Sequence, residues 1–354
     1  MDSLKLIEEL SNANGVSGLE DDVLEVVRKY AEPFASIKED RLRNLYLHRG
    51  KNRDLPTVMI EAHSDEIGFM VQHITGHGML KFLPLGGWNI QSVMGHKVRV
   101  RNSEGKYIPG LVASKPPHFM TEQERKNGLS MDQMVIDVGA VSKKDLIENY
   151  KIDVGAFVIP DATFSYNQDH GIMLGKAFDN RIGCAAVIET LANLESCSLD
   201  TDIVGTICSQ EEVGTRGIKV AVQNIQPDLA IVFEGSPADD SYGDMAYSQC
   251  ALKQGAQIRH LDASLIANPR FAGFIRDVAL EKGIKFQEAV RAAGKTDAGV
   301  INCSSKGTPV VVIGIPVRYA HGNFGYCALE DYKAAINLCC EVVQLLNESI
   351  ISSF

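Results

Sequence analysis

Four runs of mostly apolar, β-branched residues constrain the fold of this chain more than any other feature. They occupy residues 57–62, 203–209, 229–233 and 309–315, and stretches with helical periodicity alternate with them. Strands that are apolar along their whole length are typical of a parallel sheet with helices on both faces. The chain is therefore predicted to have an α/β fold with a mostly parallel sheet flanked by helices.

Residues 69–162 have a different pattern. Short β-like pieces follow one another there, separated by Gly, Pro and charged residues, and only residues 143–148 have a helical pattern. Many short strands at close spacing are typical of a small barrel or sandwich. We expect an inserted small β-barrel domain at 69–162, which divides the larger α/β domain into a first part, 1–68, and a second part, 163–354.

The pattern of apolar residues in the N-terminal segment predicts two helices. Leu4, Ile7 and Leu10 recur at helical spacing. Ser17 and Glu20 have the spacing of a capping box, in which two side chains bond to the backbone at a helix start. We therefore expect the second helix to begin at this box.

Composition excludes several classes of partner. The 354-residue chain has a net charge of −10 and no basic stripe, which argues against nucleic acid as the main partner. No stretch approaches the roughly 18 apolar residues of a membrane span, and the charged N-terminus does not resemble a secretion signal. The 8 cysteines form no Cys-x-x-Cys pair, so free buried thiols are expected. We expect a cytoplasmic protein with no nucleic-acid and no membrane partner.

A histidine and an aspartate stand two residues apart at the end of the first apolar run. Along an extended strand, residues i and i+2 point the same way. One of His63 and Asp65 could therefore bind a metal ion while the other orients it from behind. An ordinary hydrogen-bonded pair fits the same spacing, so both interpretations are open at this point.

Carboxylates and a second histidine follow the other three runs. Glu211 and Glu212 come after the second run, Glu234 closes the third, and His321 follows the fourth. Because ligand sites of open α/β sheets gather beyond the carboxyl ends of the strands, these side chains are expected to meet at one edge. Imidazoles and carboxylates without a thiolate suit zinc, cobalt or manganese, in numbers sufficient for two ions. One of the adjacent glutamates would be a ligand and the other a general base, although a solvated acidic turn is the alternative.

Asp179 is the candidate for a ligand shared by two ions. Sites with two metals about 3.5–4 Å apart need a bridging carboxylate. Asp179 lies where a loop enters a helix, so the first amides of the helix could hold its carboxylate. The same position suits an ordinary N-cap, and the residue type alone does not decide between the two roles.

A series of short motifs spans nearly the whole chain in order. The motifs are AHSDEIG (62–68), SKPPH (114–118), IDVGA (136–140), AFDNR (177–181), EEVGTRG (211–217), TDAG (296–299) and RYAH (318–321). This series resembles the tetrahedral (glutamyl/deblocking) aminopeptidase family of dinuclear metallo-aminopeptidases.

The resemblance implies a metal-dependent aminopeptidase that hydrolyses N-terminal residues from peptides through a water bridging two metal ions. Two divalent ions per subunit are implied, with zinc as the first choice and cobalt or manganese as alternatives. The implied site residues are His63, Asp179 and Glu234 for one ion, Asp179, Glu212 and His321 for the other, Glu211 as general base, and Asp65 as the residue that orients His63.

The resemblance also implies peptide substrates and self-association into a homo-oligomer, typically a tetrahedral dodecamer, with residues 69–162 as the oligomerisation domain. Two positions depart from the family pattern. The family usually has aspartate where Glu234 stands, and His-Ser-Pro where this chain has His321, Gly322 and Asn323. The first departure can reposition an ion, and the second alters the wall beside a ligand. The preferred N-terminal residue is therefore not implied.

Two other functions are compatible with the sequence. An endoglucanase-like glycoside hydrolase could use paired carboxylates as acid and nucleophile, without a metal and without the histidines. A non-catalytic assembly protein could keep the same fold and shell but lack turnover. Chelator sensitivity and the number of bound ions distinguish these alternatives from an aminopeptidase.

Overall fold

Strands and helices follow one another along the chain in the order that the apolar runs predict. The computed structural model describes residues 1–49, 54–123 and 129–354. The strands in these ranges are β1 Ser36–Glu39, β2 Leu45–His48, β3 Thr57–His63, β4 Gly68–Ile74, β5 Leu80–Leu85, β6 Lys97–Arg101, β7 Tyr107–Ala113, β8 Val135–Asp137, β9 Phe157–Pro160, β10 Ser165–Asn167, β11 Ile172–Gly175, β12 Asp202–Cys208, β13 Leu229–Pro237, β14 Ala256–Leu261, β15 Phe286–Val290, β16 Val310–Arg318 and β17 Gly325–Ala328. The helices are α1 Ser3–Asn12, α2 Asp21–Ala31, α3 Ile90–Val93, α4 Lys143–Asp145, α5 Phe178–Leu194, α6 Arg216–Ile225, α7 Pro269–Lys282, α8 Asp297–Asn302, α9 Leu329–Leu345 and α10 Glu348–Ile351. A π-helical turn, Leu146–Tyr150, continues α4, and 3-10 turns lie at Pro117–Phe119, Met131–Gln133 and Met245–Tyr247.

The larger sheet has parallel strands at its centre. Its order is β1-β2-β12-β3-β13-β16-β17-β11-β10, with β14 beside β16 and β15 beside β14. Strands β12, β3, β13 and β16 run parallel, and nearly all of their residues are buried. Antiparallel strands extend the sheet at both edges. The predicted α/β fold, with a mostly parallel sheet flanked by helices, is confirmed.

Two groups of helices cover the central strands. Helix α5 packs on β3 and β13 and contacts α1, α2 and α9, whereas α6 and α8 contact each other and pack on β12, β13 and β16. One apolar core joins these helices to the sheet. Because side chains on both faces of the central strands are buried, the strands are apolar throughout rather than alternating. Within the described ranges, none of the helices has the length and apolar character needed to cross a membrane.

Six strands between the two parts of the larger domain form a closed antiparallel barrel. Their order is β4-β5-β8-β7-β6-β9, and the barrel has an apolar core of its own. The predicted inserted β-barrel is therefore confirmed. Its strands run from Gly68 to Pro160. The domain limits of 1–68, 69–162 and 163–354 stay a prediction.

The predicted capping box does not form. Helix α2 begins at Asp21, and Glu20 before it makes no side-chain hydrogen bond to the first turn. Instead, Ser17 donates its hydroxyl hydrogen to Asp65 Oδ2 at 2.6 Å, and Glu20 accepts the backbone N–H of Gly18 at 2.8 Å. The prediction of a capping box is wrong because the hydroxyl of Ser17 bonds to Asp65, far along the chain, and not to the start of α2.

A fully buried arginine connects the start of α5 to the end of β3. Arg181 donates to the carbonyl oxygen of Ser64 at 2.6 Å and to the carboxylate of Glu66 at 3.1 Å. It also donates to the carbonyl oxygens of Leu10 at 2.8 Å and Gly15 at 2.9 Å. Buried acceptors that lose a charged donor destabilise a fold strongly, so stability should depend on this side chain.

Replacing Arg181 by Met should lower the free energy of unfolding by about 3–5 kcal/mol, because several buried acceptors lose their shared donor. Arg276→Met on α7 is the control, since this side chain is 46% exposed. The control should change the free energy of unfolding by less than about 0.5 kcal/mol. Denaturant unfolding followed by circular dichroism measures both variants. A small effect of equal size in both would contradict the anchoring role of Arg181.

Candidate metal centre

The carboxyl ends of the central strands bring the predicted residues to one edge of the sheet. Strands β12, β3, β13 and β16 are parallel, so the segments that follow them start at the same edge. The kinked start of α5 reaches the same place. The residues that meet there are His63, Asp65, Asp179, Glu211, Glu212, Glu234 and His321.

The first donor group consists of His63, Asp179 and Glu234. The Nε2 atom of His63 lies 3.3 Å from Asp179 Oδ1 and 3.6 Å from Glu234 Oε1. The possible ligand atoms of all three residues lie within 4.8 Å of one another. A single cation between them could contact one imidazole and two carboxylates, and the longer side chain of Glu234 does reach the group.

The second donor group consists of Asp179, Glu212 and His321. The Nε2 atom of His321 lies 3.3 Å from Asp179 Oδ2 and 3.5 Å from Glu212 Oε1. The possible ligand atoms again lie within 4.8 Å of one another. The two oxygens of Asp179 thus face two different imidazoles, Oδ1 toward His63 and Oδ2 toward His321. A carboxylate shared by two cations needs this arrangement.

Backbone packing, and not helix capping, places Asp179. Helix α5 is kinked at Asp179 and Asn180, and its N-cap makes no side-chain hydrogen bond. The side chain of Asn180 donates to the carbonyl oxygen of Phe233 at 2.8 Å and accepts the N–H of Gly235 at 3.2 Å. A Cβ on Gly235 would lie 2.7 Å from Cα of Asp179, so the close approach of α5 to β13 requires glycine there. The N-cap alternative for Asp179 is wrong.

Asp65 holds the backbone and side chains around both groups. Its Oδ1 lies 3.3 Å from His63 Nδ1, on the side of the ring away from the other carboxylates. The same carboxylate accepts the backbone N–H groups of Glu211 at 2.8 Å and Glu212 at 3.1 Å, besides the hydroxyl of Ser17. Burial raises the pKa of Asp65, but His63 and these donors outweigh burial and hold the pKa below its usual value. The carboxylate therefore stays ionised.

Glu211 lies beside the first donor group. Its Oε2 is 3.9 Å from His63 Nε2, and its side chain is 12% exposed. In the absence of a cation, burial raises the pKa of Glu211 to about 10. Glu211 therefore lies beside the first donor group but is not one of the three residues whose possible ligand atoms lie within 4.8 Å of one another.

The electrostatics of the cluster fit divalent cations. Burial raises the pKa of Glu212 to about 8 and that of Glu234 to about 7. Burial lowers the pKa of His321, but Asp179 outweighs it and the pKa rises to about 10. Without cations, protons would therefore neutralise the site. Within the described ranges Asp179 Oδ1 is also buried without a hydrogen-bond partner. Imidazole and carboxylate donors of this kind suit zinc, cobalt or manganese.

A third buried group was not predicted from the sequence. It consists of Glu61, Cys208 and Asp297, whose possible ligand atoms lie within 4.8 Å of one another. Burial raises the pKa of Glu61 to about 8 and that of Asp297 well above its usual value, so the two carboxyl groups can share protons without a cation. Two features of the sequence could have indicated this group. One is the glutamate inside the apolar run 57–62, and the other is the TDAG motif, which contains Asp297.

Comparisons with known proteins agree along nearly the whole chain. A model of the family described as M42 glutamyl aminopeptidase matches residues 44–338. The FrvX protein of Escherichia coli (strain K12) is 33% identical over 355 aligned residues, which cover 99% of this chain and 98% of FrvX.

Two solved structures have the same fold. The TET aminopeptidase from the marine sediment archaeon Thaumarchaeota archaeon SCGC AB-539-E09 aligns with a TM-score of 0.96 and 34% identity, covering 99% of this chain and 98% of that one. The TET1 peptidase of Pyrococcus horikoshii, which can assemble into a tetrahedron or a large octahedral shell, aligns with a TM-score of 0.87 and 26% identity, covering 98% and 100%. The resemblance recognised in the motifs is confirmed.

His63 and Asp65 should respond differently to substitution. His63→Ala removes a donor atom of the first group, so one of two bound ions should be lost. Asp65→Asn should keep both ions but weaken zinc affinity about 10- to 100-fold, as changes behind a ligand do. Metal analysis gives the number of ions, and competition with a coloured chelator gives the affinity.

Asp277→Asn, at a side chain that is 70% exposed, is the control and should alter neither quantity. Two tightly bound ions in His63→Ala, or a missing ion in Asp65→Asn, would contradict this division of roles.

Proposed function

The chain belongs to the M42 glutamyl aminopeptidase family, and we propose that it is a dinuclear metallo-aminopeptidase that hydrolyses N-terminal residues from peptides. Family membership supports the aminopeptidase activity. The observation that carries the two-ion proposal is the shared carboxylate of Asp179, whose oxygens each lie 3.3 Å from the Nε2 atom of a different histidine, His63 and His321.

Each ion is assigned to one donor group. When bound, two such ions supply an activated water at neutral pH and a Lewis acid for the scissile carbonyl group. Zinc is the first choice for the donor set, with cobalt or manganese as alternatives. The assigned ligands are His63, Asp179 and Glu234 for the first ion, and Asp179, Glu212 and His321 for the second.

Glu211 is assigned as the general base. It lies next to the first donor group, and its backbone N–H is held at 2.8 Å by the same Asp65 carboxylate that faces His63. Asp65 therefore orients the base and a ligand together. Glu211 would take a proton from the attacking water and pass it to the leaving amine, as a positioned carboxylate does in general acid–base catalysis.

The free amino group of the peptide would pair with the carboxylates of the site, which restricts cleavage to the N-terminal residue. A small pocket lies beside the second group, next to His321. The residues around it include Ile67, Phe178, Tyr319 and Gly322. Gly322 stands where the family usually has serine, so we expect this wall to contribute to the preferred N-terminal residue.

Self-association into a homo-oligomer, such as a tetrahedral dodecamer, is part of the proposal. The TET1 relative assembles into a tetrahedron or an octahedral shell. In this chain the barrel region exposes Phe119, Val141 and Val154, and apolar side chains on a surface favour contact with another subunit. A cytoplasmic location is also proposed, because the cysteines are free thiols.

Chelation should abolish hydrolysis of aminoacyl-arylamides and short peptides, because the two ions would supply the activated water and the Lewis acid. Added zinc, cobalt or manganese should restore hydrolysis. A panel of these substrates with different N-terminal residues, run with each metal added back, also identifies the preferred residue and metal. Soluble β-glucans in the same panel test the glycoside hydrolase alternative, which needs no metal.

If the protein hydrolyses glucans and chelators leave this activity unchanged, it is a glycoside hydrolase and the proposal is wrong. If the protein binds less than one ion per chain and turns over no substrate, it is a non-catalytic assembly protein and the proposal is wrong.

Glu211→Gln should retain two ions yet lower turnover about 100- to 10,000-fold, because an amide cannot take up the proton. Peptide hydrolysis and metal content are measured on the same sample. Glu281→Gln, at an exposed position near the end of α7, is the control and should keep normal turnover. Near-normal turnover of Glu211→Gln would overturn the assignment of the base.

A further inference from the structure

A loop of the barrel contacts the second donor group from outside the larger sheet. This loop, Gly86-Gly87-Trp88, directly follows β5. The carbonyl oxygen of Gly87 accepts a hydrogen bond from Nδ1 of His321 at 2.6 Å. One of the proposed ligands is therefore held by the inserted domain.

The hydrogen bond from His321 determines which ring nitrogen can bind a cation. A carbonyl oxygen only accepts, so Nδ1 carries the hydrogen, and in the neutral imidazole Nε2 is then the nitrogen whose lone pair can bind a cation. Nε2 is the atom that faces Asp179 at 3.3 Å and Glu212 at 3.5 Å. The side chain is 38% exposed, so the carbonyl of Gly87 restricts a ring that has solvent on one side. The Nδ1 atom of His63 likewise bonds to a backbone carbonyl oxygen, that of Asp65 at 3.2 Å.

The neighbouring glycine lies against Glu212, another proposed ligand of the second group. Gly86 has a φ of +80°, in the region that favours glycine. A Cβ there would lie 2.6 Å from Cγ2 of Ile67 and 3.0 Å from Oε2 of Glu212. The loop backbone thus lies directly against the Glu212 carboxylate. A larger residue at position 86 would displace either the loop or the side chains of Ile67 and Glu212.

Trp88 attaches the loop to the barrel. Its Nε1 donates to the carbonyl oxygen of Gly68 at 3.0 Å, and its ring stacks on Phe69 with the ring centroids 4.6 Å apart. Phe69 belongs to the apolar core of the barrel. The two glycines are therefore carried by a segment with a fixed place on the barrel, and the loop connects that core to the second donor group.

We propose that the Gly86-Gly87-Trp88 loop of the barrel is a positioning element of the second ion site, which fixes His321 and supports Glu212. The inference rests on the two-ion function proposed above. Because binding equilibria are reciprocal, an ion in the second site must stabilise the contact of the loop with the site as much as that contact strengthens ion binding.

The first test compares two glycine substitutions in the full-length protein. Gly86→Ala should weaken zinc at the second site about 10- to 100-fold, because the added methyl group displaces Glu212 or the loop. Gly95→Ala is the matched control: Gly95 lies in the barrel at a φ of +81°, but a Cβ there meets nothing within 4 Å. The control carries the same backbone strain and should bind both ions normally. Chelator competition and metal analysis measure affinity and number, and circular dichroism compares the folds.

The second test uses Trp88, the only tryptophan in the chain. Chelated protein is titrated with zinc while tryptophan emission is recorded. In the natural sequence the emission should change as the second site is filled, since an ion held by Glu212 and His321 stabilises the contact of the loop with the site. His321→Ala should bind one equivalent and lack this change. If the loop only supported the fold of the barrel, Trp88 emission would not respond to an ion in the second site.

Each outcome decides a different point. Normal affinity of Gly86→Ala for two ions, or two equivalents that bind to the natural sequence without changing Trp88 emission, would overturn the role of the loop and leave the two-ion function intact. A natural sequence that binds fewer than two ions would overturn the two-ion function and this inference with it. If Gly86→Ala does not fold, the comparison of the natural sequence with His321→Ala still decides the question.

Discussion

The buried guanidinium of Arg181 holds together three segments on which the site depends. Arg181 lies two residues after Asp179 on α5, and it bonds to Ser64, the residue after His63. It also closes the loop between α1 and α2, where a Cβ on Gly15 would lie 2.6 Å from its Nη2. One guanidinium therefore ties the backbone that follows Asp179 to the backbone that follows His63. The carboxylates are placed by neighbouring contacts: Asp65 accepts the backbone N–H groups of Glu211 and Glu212, and Asn180 bonds to the backbone on both sides of Glu234.

The sheet and most of the site could be predicted from local patterns. Residues 57–62 and 229–233 are apolar because both faces of β3 and β13 are covered, and this property is visible in any short window of sequence. Histidines and carboxylates follow several such strands in turn, and this joint occurrence made His63 and Glu234 recognisable as candidates. The parallel order of the strands then brings these ends together without further information.

The contacts that orient the site could not be predicted in this way. Ser17 has the spacing of a helix cap, yet its partner Asp65 is 48 residues away. Gly87 and His321 are 234 residues apart, and neither residue type indicates the other. Asn180 next to Asp179 resembles any polar residue at a helix start. In each case the partner is chosen by tertiary packing, which leaves no local periodicity or motif by which it could be found.

The position of β3 in the sheet has a consequence for the order of events during synthesis. β3 lies between β12 and β13, and both neighbours are translated only after the whole barrel. At about 5–20 residues per second, β3 waits many seconds for both of its sheet neighbours, while the barrel can already form. His321 is translated later still. A chain emerging from the ribosome therefore lacks one residue of the proposed second ion site until nearly all of the sequence has been made.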